Sequence, residues 1–522
     1  MASEAVPSVR IERALLSVDD KSGLSDLGRG LAELGVELWA TGGTRHHLED
    51  AGIPVRSAEE LTGIGAWFGG RVKTLHPGIL GGILAPRTDA GRAELVERGL
   101  RAFDLVVVNF YPFERHLLEA PHATDREEYV DIGGVTLVRA AAKNHVGVAV
   151  VTSPAEYGPL LEELRGASGS VSAATRVRLA RRAFERVAAY DAAIAGALFP
   201  PETGADPFPD TIVLRREPLK LRYGENPHQK AAIFGSLPGA PTGFVPRSFE
   251  ILKGESLSYT NLLDVDTALS IVAEYPLPAA AVVKHATPCG VAEGGTVREA
   301  LERAIATDPV ARFGCAVAVN TPLGPGDADA LHGVFVDLLA APAVSPEAFE
   351  ALGRRPKLKL IRTEPPPLDQ PRWEAKTSFG RVLVQETDRR QLTLGEFKPV
   401  TSHRATPEQL CHLDFAWRVV RHAKSNAIVL ASGPQTVGIG SGQPTRVKAV
   451  QIACEVAGER ARGSVLASDA FFPFADGVEV AARAGVVAIL QPGGSLRDPE
   501  VIAVAEKAGI AMYFSGWRVF RH

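Results

Sequence analysis

Short, nearly unbroken apolar runs alternate along the chain with longer stretches whose apolar positions recur every three to four residues. ALLSV (14–18), ELWAT (37–41), DLVVVNF (104–110) and VGVAVVTS (146–153) are of the first kind. Such runs are expected of strands buried on both faces. Between them LSDLGRGLAELG (24–35) carries helical spacing and stops at Gly35, and a short helix is expected from Gly-Gly-Thr to about Gly52. This rhythm predicts a doubly wound parallel α/β sheet. SAATRVRLARRAFERVAAYDAAIAGAL (172–198) reads as one long helix closed by Pro200-Pro201, and ETGADPFPD (202–210) reads as a linker. Two domains follow, 1–205 and 211–522. In the second, SIVAEY (270–275), AAAVVKH (279–285), SNAIVLAS (425–432), GSVLASDAFF (463–472) and GVVAILQPGG (485–494) look like strands leading into loops or helices, and Thr406-Pro407-Glu408 is a good helix start. PPPLDQPRW (365–373) reads as an exposed connection that subdivides this region, but no sequence repeat marks two halves.

Composition narrows the function classes. With 522 residues the chain exceeds what one core supports. The balance of 57 basic and 61 acidic residues, net −4, leaves no footprint for nucleic acid or an anionic membrane. No apolar run approaches the roughly 20 residues that span a bilayer, and no signal-peptide core is present at the N-terminus. The four cysteines are scattered without a CxxC pair, as expected of reduced thiols in a cytoplasmic protein.

Chemistry-bearing residues gather at the predicted strand ends. SVDDKSG (17–23) offers Ser17, Lys21 and Ser22 to a phosphate. In TGGT (41–44) the residues Thr41, Gly42, Gly43 and Thr44 turn a strand into a helix, where backbone amides can face an anion; a tight turn alone accounts for them equally well. GRVKTLHPGILGG (70–82) packs Arg71, Lys73, Thr74 and His76 into seven residues among glycines. NFYPF (109–113) sets Asn109 and Tyr111 at a strand end, where open α/β sheets bind ligands. DIGGVTLVRAAAKNH (131–145) places Asp131 before a glycine pair and Lys143 on the far side of a helix. Convergence on strand ends favours one acid–base and anion site over separate structural details.

In the second region LRYGENPHQKAA (221–232) crowds Arg222, Tyr223 and other hydrogen-bonding groups around a Gly and a Pro. Asn261 heads a helix in SYTNLLDVDTAL, Asn426 sits at a turn in RHAKSNAIVLAS, and Arg446 opens a helix after SGQPT. Capping and surface charge are the plainer explanations for each taken singly. AAAVVKHATPCG (279–290) ends a buried run on Lys284 and His285. Neighbours on a strand face opposite ways, so both serve one site only if the backbone turns, and Thr287-Pro288-Cys289-Gly290 is the expected turn.

These motifs carry a resemblance. SVDDKSG, TGGT, RVKTLHPGILGG, NFYPF and DIGGVTLVRAAAKNH resemble the inosine monophosphate (IMP) cyclohydrolase domain of the bifunctional purine-biosynthesis family, which has the methylglyoxal-synthase-like fold. LRYGENPHQ, KHATPCG, SNAIVL, GIGSGQPTR, SDAFFPF and WRVFRH resemble its aminoimidazole carboxamide ribonucleotide (AICAR) formyltransferase domain, a duplicated cytidine-deaminase-like α/β unit. The resemblance implies that Lys73, Tyr111, Asp131 and Lys143 close the ring, while Ser17, Lys21, the TGGT loop, Arg71 and Thr74 hold the nucleotide. It implies that Lys284 and His285 are the formyl-transfer pair and that Arg222, Tyr223, Asn261, Phe313, Gly314, Asp337, Asn426 and Arg446 line that site. Phe471, Arg518 and His522 approach it, some from the second subunit of a homodimer with the formyltransferase sites at its interface. It further implies 10-formyltetrahydrofolate as co-substrate, AICAR, its formylated product FAICAR and IMP as nucleotide ligands, and no catalytic metal. Departures are Asp19, where the family usually has serine and where a carboxylate would repel a phosphate, and Arg312 and Cys315 around Phe313-Gly314.

Within this resemblance a neutral His285 is the expected base toward the aromatic amine, with Lys284 disfavouring its protonation or stabilising the oxyanion. A zinc nucleoside deaminase is disfavoured because no H-x-E pairs with a P-C-x-x-C. Competing with formyl transfer are a Cys289 nucleophile and a zinc-free nucleotide-binding or sensor protein without turnover.

Overall fold

The computed structural model describes residues 7–120, 124–199, 206–238 and 243–522. The expected linker at 202–210 lies partly outside these residues, as do Pro200 and Pro201. The chain forms two compact units, 1–215 with 235–242 and 216–234 with 243–522. Among the described residues no helix is long and apolar enough to cross a membrane.

The first unit is built on a five-stranded parallel sheet of β1 (Arg13–Val18), β2 (Glu37–Ala40), β3 (Arg56–Ser57), β4 (Leu105–Asn109) and β5 (Ala149–Val151), in the order β3-β2-β1-β4-β5. The apolar runs are buried because helices cover both faces. Leu24–Glu33 and Tyr157–Gly166 pack on one side, and Pro77–Leu84, Gly133–Lys143 and the long helix Ala173–Leu198 on the other. Ser172 caps the long helix by accepting from the Thr175 amide. Strand β1 lies between β2 and β4 with its neighbouring connections leaving on opposite sides, so the loops after β1, β2 and β4 meet at one edge.

The second unit contains two six-stranded mixed sheets. The first comprises β6 (Glu250–Lys253), β7 (Ala279–Lys284), β8 (Thr287–Glu293), β9 (Cys315–Val319), β10 (Val336–Ala341) and β11 (Lys359–Arg362), ordered β6-β11-β10-β9-β7-β8. The second comprises β12 (Lys398–Pro399), β13 (Ile428–Ala431), β14 (Thr436–Gly440), β15 (Val465–Ser468), β16 (Ala488–Gln491) and β17 (Ala511–Phe514), ordered β12-β17-β16-β15-β13-β14. Strand for strand the order is the same, and so is every parallel or antiparallel pairing. The repetition extends to single hydrogen bonds: Asn320 Oδ1 accepts from the Ala279 amide at 2.8 Å, and Asp469 Oδ1 from the Ala427 amide at 3.0 Å. This is a duplicated fold whose halves share topology without a readable sequence repeat.

The halves join along their edge strands. Ala292 bridges Gln435 in antiparallel fashion, and the Thr436 hydroxyl is bonded to both the amide and carbonyl of Val291, at 2.9 and 3.1 Å. Helices Tyr259–Val272 and Pro407–Val420 share one core beneath both sheets, with the Tyr275 and Phe415 rings 5.2 Å apart. Pro407–Val420 starts on a Thr406–Gln409 capping box. SIVAEY does not form a strand: Ser270–Val272 completes helix Tyr259–Val272, whose capping box at Ser258 and continuous buried face carry the helical period through these residues.

Candidate active sites

In the first unit the loop after β1 is pinned by Asn109 at the end of β4. Its Oδ1 accepts from the Asp19 and Asp20 amides at 2.6 and 2.9 Å, and its Nδ2 donates to the Asp20 carbonyl at 3.0 Å. Lys21 turns back to donate to the carbonyls of Val18 and Asp19, and the Ser22 amide donates to Asp20. Desolvation, aided by Lys73, lowers the Lys21 pKa. From the next strand Thr41 Oγ1 lies 2.9 Å from Ser17 Oγ, and buried Thr44 is bonded to both backbone groups of Val18. Helix Gly42–Asp50 begins at the glycine pair, and the space beside Gly42 and Gly43 is open where a Cβ would stand. The start of a helix, where the first amides lack intrahelical partners, thus lies beside open space near Ser17 and Thr41.

Lys73 donates to the Tyr111 hydroxyl at 3.4 Å. Asp131 accepts from the Gly134 amide at 2.7 Å, and its own amide donates to Tyr190. Burial raises the Asp131 pKa above the ordinary carboxylate value, while bonds from the Gly134 and Tyr111 amides and the nearby Lys73 charge pull it down. A Cβ on Gly134 would lie 2.4 Å from Asp131 Oδ2, and one on Gly133 2.6 Å from the hydroxyl of buried Thr74; both glycines are needed for this close approach. Arg71 is paired with Glu128. Lys143 stands apart: it is exposed at the other end of the 11-residue helix from Asp131, on the order of 15 Å along its axis. A cavity of about 750 Å³ opens beside this cluster, sharing Asp19, Lys21 and Asn109 with it but walled by Arg115, Glu156 and Arg186 and not by Lys73, Tyr111 or Asp131.

In the second unit Lys284 and His285 lie at the tip of the β7–β8 hairpin. Lys284 pairs with Thr287 across a two-residue turn, and both turn residues, His285 and Ala286, have positive φ, 55° and 53°. The turn is therefore His285-Ala286, and Thr287–Glu293 is a strand; this corrects the expected turn at Thr287–Gly290. The ladder of β7 continues through Thr287 and Pro288, with a bulge at Cys289, and β8 is an edge strand, where proline is tolerated. His285 is exposed and Lys284 donates to the Phe313 carbonyl at 3.0 Å.

Phe313 packs on Phe335, and Gly314 at φ 73° donates to the Phe335 carbonyl. Asn261 both closes the Ser258 capping box and donates to Asp337 Oδ2 at 2.7 Å. Asp337 also accepts from Lys359 at 2.6 Å. Arg222 donates its amide to Leu257, and the Tyr223 carbonyl accepts from Tyr259, which docks the LRYGENPHQ loop on the start of the same helix.

The second half reaches the same hairpin tip. Lys424 donates to the His285 carbonyl at 3.2 Å, and its own carbonyl accepts from Gly442 and Ser441. Asn426 bonds Gln443 and accepts from Arg446 at 2.7 Å. Arg446 opens its helix as expected, but its guanidinium is buried against Asp469 and the Ala427 carbonyl. The C-terminal segment lies along these strand ends: Val519 donates to Asp469, and Ser425 donates to Arg521. Along it Arg518 stacks over Phe520, whose ring is 5.6 Å from that of His522, and Phe471 is exposed.

A family model described as the AICARFT/IMPCHase bienzyme matches residues 141–456, and one for MGS-like domains matches 23–149. Curated proteins called bifunctional purine biosynthesis protein PurH match nearly end to end. That of Halalkalibacterium halodurans is 45% identical over 514 residues, 98% of this chain and 99% of its own length; that of Sorangium cellulosum is 47% identical over 527 residues, 98% and 100%. The chain belongs to the AICARFT/IMPCHase bienzyme family. A solved structure titled ForH is 37% identical over 35% of this chain and 97% of its own, with a TM-score of 0.33.

Several polar residues of this bienzyme's second unit escaped the sequence reading: Asp264, Lys359, Lys424 and Asp469. Asp264 stands three residues after Asn261 on one helix face, a spacing that was available as a signal; the others are single charges far apart in sequence. Desolvation pushes the Cys289 thiol up to about 12, which disfavours a thiolate nucleophile there. Among the described residues no group of three or more His, Cys, Asp and Glu is placed to hold a metal ion.

Proposed function

We propose that the family's two reactions, the last two steps of de novo IMP synthesis, divide between the two clusters. Formyl transfer falls to the Lys284–His285 hairpin and ring closure to Lys73, Tyr111 and Asp131. The observation that carries this reading is the His285-Ala286 turn, which brings Lys284 and His285 to one hairpin tip while both halves of the second unit contribute residues around it.

AICAR is the formyl acceptor and 10-formyltetrahydrofolate the donor. The 5-amino nitrogen attacks the formyl carbon as His285 accepts its proton. Lys284 stabilises the oxyanion, the bond to folate nitrogen breaks with a proton returned to that nitrogen, and FAICAR and tetrahydrofolate result. Arg222, Tyr223, Asn261, Phe313, Gly314, Asp337 and Asn426 surround the nucleotide. Arg446 acts through Asn426, since its own donors are turned to Asp469 and the Ala427 carbonyl.

In ring closure the carboxamide nitrogen of FAICAR attacks its own formyl carbon, with the two groups held face to face. The Asp131 carboxylate takes the nitrogen's proton, Lys73 and Tyr111 stabilise and protonate the formyl oxygen, and water departs to leave IMP. The open helix start at Gly42-Gly43, with Ser17, Thr41 and Thr44 beside it, receives the phosphate, and Lys21, Ser22, Asn109, Arg71 and Thr74 complete the nucleotide site. Lys143, exposed at the far end of its helix, is given no step within one chain. The working form is a cytoplasmic homodimer with formyltransferase sites at the interface, Phe471, Arg518 and His522 completing them.

The test is to mix the metal-free protein with AICAR and 10-formyltetrahydrofolate and follow tetrahydrofolate and IMP separately. Both are expected to form. Nucleotide binding with neither product would favour the sensor reading and end this one.

A further inference from the structure

Two-residue hairpin turns with positive φ at both positions are ordinarily supplied by Asn-Gly or Asp-Gly, because a Cβ is disfavoured there. Here His285 and Ala286 occupy both positions, at φ 55° and 53°. Something outside the turn must hold it. Two side chains do so. Asp264, on helix Tyr259–Val272, accepts from the Ala286 amide at 2.6 Å, and Lys424, from the second half of the unit, donates to the His285 carbonyl at 3.2 Å. Of the two, Asp264 makes the shorter bond to the turn.

We propose that Asp264 is a positioning residue of formyl transfer, its Oδ1 fixing the His285-Ala286 turn so that the imidazole and Lys284 are presented together. This rests on the assignment of His285 as the base. Asp264 is not offered as a proton carrier: its surroundings hold Asp337, Lys424 and His285, and burial, the leading effect, raises its pKa while the Ala286 amide bond opposes it. What the turn needs is an acceptor at that point, and the strain of the turn makes the acceptor's position count.

The test uses the full chain, with cyclisation of supplied FAICAR as the folding control. Asp264→Ala is expected to lower kcat for formyl transfer by about ten- to a hundredfold, the range for a misplaced catalytic group, with KM for AICAR little changed and cyclisation intact. Asp264→Asn keeps the oxygen acceptor and removes the charge, so it should retain most activity. Asp264→Glu keeps the charge and displaces the oxygen, so it should be the worse of the two. Ala286→Gly relieves the positive φ and should restore much of the loss in Asp264→Ala. If Glu outperforms Asn, or Ala286→Gly rescues nothing, the positioning role is overturned; the Asn–Glu comparison stands even if Asp264→Ala does not fold. Full formyl transfer by His285→Ala would instead overturn the assignment of the base, a separate result.

Discussion

Asp469→Ala is the substitution whose cost the structure defines most fully. The Asp469 side chain is wholly buried, and Arg446 opposite it is 4% exposed. The carboxylate accepts from the Arg446 guanidinium, from the Ala427 amide at 3.0 Å and from the Ser425 hydroxyl. Removing it leaves a buried cation without its counter-ion, which costs about 3–5 kcal/mol. The freed Ala427 amide adds to this, while the surviving bonds of Arg446 to Asn426 and the Ala427 carbonyl hold the sum near that range. For a body of this size each kcal/mol lowers Tm by roughly 2 °C, so a fall of about 6–10 °C is expected. Calorimetry on the variant and parent at one pH measures it. Asp469→Ala combined with Arg446→Met removes both charges and should recover part of the loss, since an apolar replacement of a buried pair is often near neutral. A Tm within about 1 °C of the parent for Asp469→Ala, or no recovery in the pair, would refute the buried-pair reasoning.

Other outcomes follow from the same contacts. Thr436→Val strips the hydroxyl that bridges Val291 and faces Thr307, and should cost about 1–3 kcal/mol, read as a lower urea midpoint with unchanged slope. Cys289→Ser should leave formyl transfer intact, and peptide mapping after alkylation near neutral pH should find half-buried Cys289 labelled more slowly than exposed Cys411; labelling of Cys289 as fast as Cys411 would count against its raised thiol pKa. Asp131 has a raised pKa, so ionising it opposes folding: its contribution to stability is complete below the ordinary aspartate value and lost as pH rises through the folded value. Asp131→Asn, which can still accept from Gly134, should therefore be no less stable than the parent at neutral pH yet lose cyclisation. In the parent the acid limb of cyclisation should lie above the ordinary aspartate range.

The sequence was most legible where chemistry and period coincide. The strand ends of the first unit could be placed because DLVVVNF and ELWAT are buried on both faces and run straight into Asn109 and Thr41. The hairpin tip was mislocated because His-Ala has none of the composition of a positive-φ turn, whereas Thr-Pro-Cys-Gly carries the proline and glycine of ordinary turns; the turn is imposed from outside, by Asp264 and Lys424. The duplication was hidden for a similar reason. Corresponding positions such as Asn320 and Asp469 keep an acceptor for a strand amide and little else. Arg446 was legible as the start of a helix but not as half of a buried pair, since its partner lies in another strand's terminus.

The central claim is that one chain carries two separable chemistries on two clusters, and reciprocal single substitutions test it most directly. In parallel assays of formyl transfer from 10-formyltetrahydrofolate to AICAR and of cyclisation of supplied FAICAR, His285→Ala should lose the first and keep the second, while Lys73→Ala should do the reverse. Loss of both activities from either well-folded variant would contradict the account.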